Sequence, residues 1–594
     1  MPLTPKISVE KPFKVLRYVQ LALSLWGVIY WIQHGAFVPE SETNVHLELN
    51  FYRGILTLHF FFGLHAFFAL TQKKYSWRRW AKEIIWRLAL LYLVIFPHWG
   101  LSEWFASDYV LIFGYVFLIK FLIVMAFVAD LSVVDLHYTR KTLPPPVIFV
   151  GSFGLIFFIG AFLLMAPRAT HNGISFIDAL FTSVSAVCVT GLAVVDTGTC
   201  FTVFGQSVLM ALIQVGGLGI LTFASYFSYL FKGGASYENQ LALSDINSSD
   251  RISDVFKTLR YILGITLVVE GLSAIAIYFS VNPADFHSWN DRMFFSVFHA
   301  VSAFCNAGFS TLSGNVYTGS FAFNYGFQLI IIATLVFGGL GFPIVSNVVE
   351  YVKYWLRKSI VNRTQGRHKP WVFNINSRIN LITTLLLIFI GTLLFYHFES
   401  ETTLVGHTGF GKWVVALFEA TTPRTAGFNN IDMSKLTLPT ILITIGFMWI
   451  GASPAGTGGG IKTSTLAIMI LNVFSMAKGK DRIEIYRREI SNNSVRRAFA
   501  AVYLSLLIIF LGILSITVLE PQLHTRDVAF EVVSAFGTVG LSLGITALLG
   551  YKAKIVIMVI MFIGRVGMLT LFVAFIKKTK EKSYRYPKED ININ

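Results

Sequence analysis

One short phrase constrains this chain more than any other feature, because it occurs four times: SAVCVTG (Ser185 to Gly191), SAFCNAG (Ser302 to Gly308), TTPRTAG (Thr421 to Gly427) and SAFGTVG (Ser534 to Gly540). Each copy opens on a hydroxyl residue, closes on glycine and is followed at once by Leu192, Phe309, Phe428 or Leu541. The closing glycines stand 117, 119 and 113 residues apart, so one unit of similar length recurs along the polypeptide. Four equivalent loops can close into one ring.

Composition says where such a ring sits. With 55% hydrophobic, 15% aromatic and only 13% charged residues, and a mean hydropathy of +0.64, the chain is far more apolar than a soluble domain, which is roughly a quarter charged. Stretches long enough to cross ~30 Å of hydrocarbon recur from end to end, as in a multi-pass membrane protein embedded in the lipid bilayer. The formal charge of +16 then belongs to loops, as the positive-inside bias, and no nucleic-acid surface is implied. Cys188, Cys200 and Cys305 make no CxxC pair and have no His-rich metal spacing, so they read as free packing thiols.

The spans predict an all-α polytopic fold. Residues 1–143 carry about four extra helices (14–35, 52–71, 84–100 and 108–131), followed by four units at 144–234, 255–356, 376–477 and 497–577 and a tail at 578–594. Each unit supplies an outer helix, a shorter apolar segment ending in the phrase, and an inner helix: 145–166, 176–188 and 203–231; 258–280, 292–305 and 326–353; 377–397, 411–422 and 437–475; 498–518, 527–537 and 553–576. If residue 1 is cytoplasmic, the inside loops are basic, among them Lys73 to Arg79, Lys353 to Lys369 and Lys478 to Arg497, while outside segments such as Phe37 to Asn50 are nearly free of Lys and Arg. Both termini inside is the expectation, with no cleaved signal peptide. In the leading segment Trp77-Arg78-Arg79-Trp80 reads as an interfacial anchor, and His34, His46, His59 and His65 show no metal spacing.

The short segments carry the chemistry. About a dozen apolar residues cannot span, so each must enter the membrane and return, and non-helical backbone at that depth is tolerated only inside protein or beside a wet cavity. Glycine lets such a loop turn its carbonyls inward. Four loops would offer carbonyl rings that replace the water around a monovalent cation, and the negative end of each short helix's dipole favours the same charge. The Gly216-Gly217-Leu218-Gly219 and Gly338-Gly339-Leu340-Gly341 clusters read as close-packing glycines of inner helices, and Glu270 as a weak candidate for an ion pair or helix contact.

Helix, re-entrant loop and helix repeated four times, with the phrases VTGL, NAGF, RTAGF and TVGL, resembles the Trk/Ktr/HKT superfamily of potassium-uptake membrane subunits over about residues 144–577. TTPRTAGFN, with Asn429, is the most specific single piece. The resemblance implies a potassium selectivity filter built from Cys188, Val189, Thr190 and Gly191; Cys305, Asn306, Ala307 and Gly308; Arg424, Thr425, Ala426 and Gly427; and Gly537, Thr538, Val539 and Gly540. It also implies a gate below the filter. GASPAGTGGGIKTST (Gly451 to Thr465) breaks the third inner helix with Pro454, Gly456, Thr457, Gly458, Gly459 and Gly460, and MFIGRVGM places Arg565 in the last inner helix, where the family carries an arginine facing the pore. Thr457, Thr463, Ser464 and freed loop carbonyls are the partners expected for Arg565.

The function this implies is potassium uptake as the channel-like translocating subunit of a Trk/Ktr-type system. A sodium- or proton-coupled potassium transporter is the alternative, and an enzyme fails for want of a convergent acid, base, nucleophile or metal site. Potassium is the transported ligand at the filter residues, and no cofactor is expected. The resemblance further implies a homodimer in the bacterial inner membrane, docked on a separate cytosolic nucleotide-binding subunit; no GxGxxG phrase follows a strand pattern in this sequence.

Overall fold

A computed structural model describes residues 19–30, 33, 50–59, 123, 145–218, 253–360, 374–454 and 456–567. In the leading segment, helices at Val19–Tyr30 and 50–59 are described. Those expected at 84–100 and 108–131 (Ile123 apart), the Trp77 to Trp80 anchor, His34, His46, His65 and the tail at 578–594 lie outside the described residues. His59 is buried.

From Pro145 onward the order of long helix, short helix and inner helix occurs four times among the described residues. The outer helices are Pro145–Leu164, Ser253–Ser280, Ile375–Glu399 and Asn492–Leu519. Within them Ile262–Ser280, Ile375–Glu399 and Asn492–Leu519 are each long and apolar enough to cross a bilayer. Leu385, Phe389, Phe510 and Val518 stay exposed on them, an apolar outer surface suited to hydrocarbon and not to water.

The short helices are Phe176–Val187, Trp289–Cys305, Gly409–Thr421 and Thr525–Gly537. Two begin on serine caps: Ser175 Oγ accepts from Asp178 N (3.2 Å) and Ser288 Oγ from Asp291 N (3.1 Å), satisfying amides that a helix start leaves unpaired. Unlike the outer helices, they are buried along most of their length. All four end on their glycine phrases.

The inner helices are the irregular ones. The first, Val203–Gly217, and the last, Tyr551–Val566, are described up to Leu218 and Gly567. The second was expected as one span over 326–353. Instead Tyr325–Leu340 turns by 104° into a second helix beginning at Phe342. Gly341 makes the corner at φ 81° and ψ 147°, a conformation closed to residues with a Cβ, and Pro343, lacking an N–H, suits the first turn of the new helix. In the third unit Leu438–Trp449 and Thr463–Ala477 flank a loop whose neck is closed by Gly451 N to Ile461 O (2.8 Å) and Ile461 N to Trp449 O (3.3 Å).

One element departs from an all-α reading. Glu484–Ile485 and Arg488–Glu489 pair as a minimal antiparallel hairpin, turned through Tyr486 and Arg487 at φ 49° and 63°, the doubly left-handed geometry of the tight hairpin turn.

The units pack in a cycle. The first inner helix lies against the second short helix, the second against the third and the third against the fourth, and the fourth inner helix returns to the first short helix. Lys554 Nζ to Asp178 Oδ1 (2.6 Å) ties that closing contact between groups 376 residues apart.

Candidate functional site: a ring of four glycine loops

The four closing glycines meet. A Cβ built on Gly308 would lie 2.7 Å from the Cα of Gly427, one on Gly427 3.0 Å from that of Gly308 and 3.4 Å from that of Gly540, one on Gly540 3.0 Å from that of Gly191, and one on Gly191 3.2 Å from that of Gly308. No side chain fits at any of these positions. Their backbones are left-handed too, at φ 90°, 69°, 75° and 93° for Gly191, Gly308, Gly427 and Gly540.

Two residues earlier, each loop is left-handed again, now without glycine: Val189 (φ 57°), Asn306 (59°), Thr425 (72°) and Thr538 (50°). The residues between have ordinary negative φ. Chain that alternates handedness in this way can turn successive carbonyls to one side, the arrangement used by carbonyl rings that bind cations. For the β-branched Val189, Thr425 and Thr538 this is a costly conformation, held only because the surroundings over-determine it.

The restraint comes from behind. Thr190 N, Ala307 N and Val539 N donate to Ser185 O (2.8 Å), Ser302 O (2.7 Å) and Ser534 O (2.8 Å), capping the short helices. The hydroxyls that open the phrases add a second tie: Ser185 Oγ and Ser534 Oγ accept from Gly191 N and Gly540 N, both at 3.1 Å, and Ser302 Oγ donates to Phe309 O at 2.7 Å. In the third copy the opening Thr421 instead bonds within its helix to Leu417 O (2.7 Å), and its neighbour Thr422 donates to Phe428 O.

Further out, sequence reasoning missed a layer of buried polar groups. His299 Nε2 meets Ser310 Oγ (2.9 Å), Glu531 accepts from Ser542 Oγ (2.7 Å) and from Thr546 Oγ1, and Glu419 Oε1 accepts from Asn430 N (3.1 Å). Each joins a short helix to the irregular segment that follows its glycine. The signal was available: His299 and Glu531 both stand nine residues before a closing glycine, and Glu419 eight.

The sequence-predicted residues divide by where their side chains go. Cys188 and Cys305 are buried thiols, with Cys305 Sγ 3.9 Å from Gln214 Oε1 and 4.0 Å from Glu270 Oε1, so Glu270 makes a helix contact and, among the described residues, no ion pair. Gln214 Nε2 donates to Glu270 Oε2 at 3.3 Å. The Arg424 side chain turns away from the ring, donating to Thr384 Oγ1 (3.3 Å) on the third outer helix, so only its backbone faces the loops' side of the structure. The Asn306 amide contacts Thr425 Oγ1 at 3.3 Å. Ala307, Ala426 and Val539 are buried, as is Gly537 against the third inner helix beside Met448.

One face of the ring opens into a cavity of about 310 Å³ lined by all four closing glycines. Asp196 is the one charged residue in its walls. Its carboxylate accepts from Thr199 N (2.9 Å), and from Ser313 Oγ and Gly314 N (both 3.2 Å) of the next unit.

Against the residues two places before the glycines, and hence on the opposite face, sits the third-unit loop. Its amides reach the second unit, Ser453 N to Gly339 O (3.0 Å) and Thr457 N to Gly338 O (3.4 Å), and the fourth, Gly459 N to Thr538 Oγ1 (2.8 Å). Gly456 N folds back to Ser453 O (3.1 Å), and Gly460 turns the exit at φ 65°. The expected partners of Arg565 are not the ones found. Its guanidinium donates to Gly216 O of the first inner helix, while Lys462 Nζ takes the loop carbonyls of Gly458 (2.6 Å) and Gly459 (3.4 Å). Thr463 Oγ1 bonds Asn380 Oδ1 (2.6 Å), and Thr457 Oγ1 has no partner among the described residues. Lysine reaches the carbonyls first because it sits at the loop's own exit. Lys462 and Arg565 thus each donate to backbone carbonyls, Lys462 within the loop and Arg565 on the first inner helix.

The glycine clusters of the inner helices do pack closely: a Cβ at Gly216 would meet Val187 Cα at 3.0 Å and one at Gly217 would meet Cys305 Cβ at 2.7 Å. They also supply the carbonyls that receive the loop and Arg565.

Comparison with known proteins shows which family the chain belongs to. The model of the TrkH family, described as cation transport protein, matches residues 114–586. This chain belongs to that family. It is 38% identical over 452 residues to the Ktr system potassium uptake protein B of Bacillus subtilis, covering 75% of this chain and 96% of the relative. It is 34% identical over 460 residues to the potassium/sodium uptake protein NtpJ of Enterococcus hirae, covering 76% and 98%. The crystal structure of the potassium transporter TrkH from Vibrio parahaemolyticus shares the fold, with a TM-score of 0.58 at 18% identity over 83% of this chain and 97% of that one. A membrane transport protein of the Trk/Ktr/HKT superfamily is the identity that follows.

Proposed function

We propose that this chain is the ion-translocating subunit of a potassium-uptake system, conducting potassium down its electrochemical gradient through the centre of the four-loop ring. The observation that carries this reading is the ring itself: four closing glycines packed on one another, each preceded by left-handed backbone of the kind that lets a loop aim its carbonyls at one centre. Such carbonyls replace an ion's hydration shell without a formal charge, which suits a monovalent cation that must also leave again. Four short helices end at the same centre and add their negative dipole ends. Residues Cys188 to Gly191, Cys305 to Gly308, Arg424 to Gly427 and Gly537 to Gly540 form the filter, the cavity with Asp196 is its outer mouth, and the third-unit loop with Arg565 is the gate on the cytoplasmic side. Both termini are cytoplasmic in this reading, the membrane is the bacterial inner membrane, and a separate nucleotide-binding subunit regulates a dimer of such chains.

The name of the Enterococcus relative includes sodium as well as potassium, so selectivity needs its own arm in the test. Purified protein in liposomes is assayed for rubidium and sodium uptake with and without an imposed voltage. Voltage-driven rubidium uptake exceeding that of sodium, with no need for a second ion, is the expected result. Rubidium uptake that requires a sodium or proton gradient would replace the channel-like reading with a coupled one, and no uptake of either ion would reject both.

A further inference from the structure

The loop beneath the ring touches the filter phrases themselves. Gly459 N donates to Thr538 Oγ1 at 2.8 Å in a fully buried setting, and among the described hydrogen bonds of the loop this is the one that reaches a filter residue. The packing on either side is as close. A Cβ at Gly459 would lie 2.6 Å from Thr538 Oγ1, and one at Gly458 would lie 2.6 Å from Thr425 Cβ. Glycine at 458 and 459 is therefore explained by what the loop rests on, two threonine side chains of the third and fourth filter phrases, and not by flexibility alone.

Thr538 is held for this contact. Its backbone is left-handed (φ 50°, ψ 53°), uncommon for a β-branched residue, and is fixed by the caps Thr538 N to Ala535 O (3.1 Å) and Val539 N to Ser534 O (2.8 Å). A buried amide must find an acceptor, and Gly459 finds this hydroxyl. When the loop leaves, both groups return to a wet cavity, so one net hydrogen bond is lost and the closed position is favoured only modestly. That scale suits a gate which must open.

We propose that Thr538 is a latch residue: its hydroxyl holds the third-unit loop against the fourth filter phrase, so that release of the loop and the local geometry of the filter are coupled. This rests on the reading of the loop as a gate. Nothing in the family resemblance requires it, because the contact joins a side chain of one unit to a main-chain amide of another.

The test is rubidium flux in liposomes of matched protein content, with the rubidium to sodium ratio recorded alongside. Thr538→Val keeps the shape and removes the acceptor, and should raise flux about 2- to 10-fold, the range one net hydrogen bond corresponds to. Thr538→Ser keeps the hydroxyl and should raise flux less than Thr538→Val does. Gly459→Ala changes a loop residue only, setting a Cβ 2.6 Å from Thr538 Oγ1, and should raise flux together with a shift in the rubidium to sodium ratio. In a background lacking residues 456–460, Thr538→Val should have no further effect. If that deletion does not itself raise flux, the gate reading falls and takes the latch with it. If the deletion raises flux while Gly459→Ala does not, or while Thr538→Val acts equally with and without the loop, the gate stands and the latch is rejected.

Discussion

Ser185 and Ser534 accept a hydrogen bond from the amide of the glycine six residues on, and that small fact explains why those two phrases open on a hydroxyl. A left-handed glycine cannot pair its amide along the helix it has just left, so a side chain supplies the acceptor. Ser302 and Thr422 reach one residue further, to the carbonyls of Phe309 and Phe428, with the same restraining effect. At Gly191 the constraint is steric. At φ 90° a side chain is strained whatever the space, and its Cβ would also stand 3.2 Å from Gly308 Cα. Gly191→Ser should therefore widen or skew one quarter of the ring and raise sodium flux relative to rubidium by on the order of tenfold, about 1.4 kcal/mol of discrimination. Parallel sodium and rubidium uptake in liposomes measures it, and an unchanged ratio would show that this glycine does not set selectivity.

Elements differ by what their environment lets them leave unpaired. Outer helices satisfy their own backbone and can face lipid, whereas the broken inner helices free carbonyls and amides that must be paired inside protein. The break at Gly341 depends on a conformation available to glycine alone. Gly341→Ala should cost about 1–3 kcal/mol, seen as a lower thermal unfolding midpoint in detergent. The break after Trp449 frees the carbonyls that Lys462 captures, and Gly216 O, freed near the end of the first inner helix, receives Arg565. Arginine keeps its charge in any protein environment, so a guanidinium held at that site repels a passing cation. Arg565→Ala should raise rubidium flux several-fold at low ionic strength and by less in high salt, where screening has already weakened the field. A flux that is lower, or insensitive to salt, would count against an electrostatic barrier.

At the scale of the whole molecule the cycle closes within one polypeptide. Lys554 and Asp178 join the fourth unit to the first, a contact that is partly exposed and so modest in worth. Asp178→Asn should lower stability by on the order of 1 kcal/mol, and a double-mutant cycle with Lys554→Met should recover most of that as coupling. Loss of stability in Asp178→Asn with no coupling to Lys554 would trace the effect to the helix cap at Ser175 instead. A single chain completes the ring, so on the proposed reading no assembly is needed to make the conduit. Mass measurement in mild detergent should nonetheless find dimers, as family resemblance implies, and monomers at every protein concentration would refute that.

Periodic and punctuating signals were legible in the sequence, because their causes are local. The short helices reach their C-caps at Cys188, Asn306, Thr422 and Thr538, two to five residues before the closing glycines that the phrases announced. The interruption of the third inner helix was equally plain, for a run of glycines beside Pro454 cannot hold a helical ladder. The bend at Gly341 was not legible: a glycine cluster in an apolar run packs a straight helix as readily as it breaks one, and the neighbours decide. Nor could sequence assign Arg565 to Gly216 and Lys462 to the loop. Both cations were visible and both needed acceptors, but long side chains reach carbonyls of any unit within range, so the pairing follows from which backbones the tertiary fold leaves open beside each. What the sequence determined by itself was four equivalent loops in a membrane protein, because repetition and hydropathy are properties of the chain. What only the tertiary structure decided was which groups touch across units, Thr538 with Gly459, Asp178 with Lys554 and Arg565 with Gly216, because those contacts join residues up to 376 positions apart and exist only once the cycle has closed.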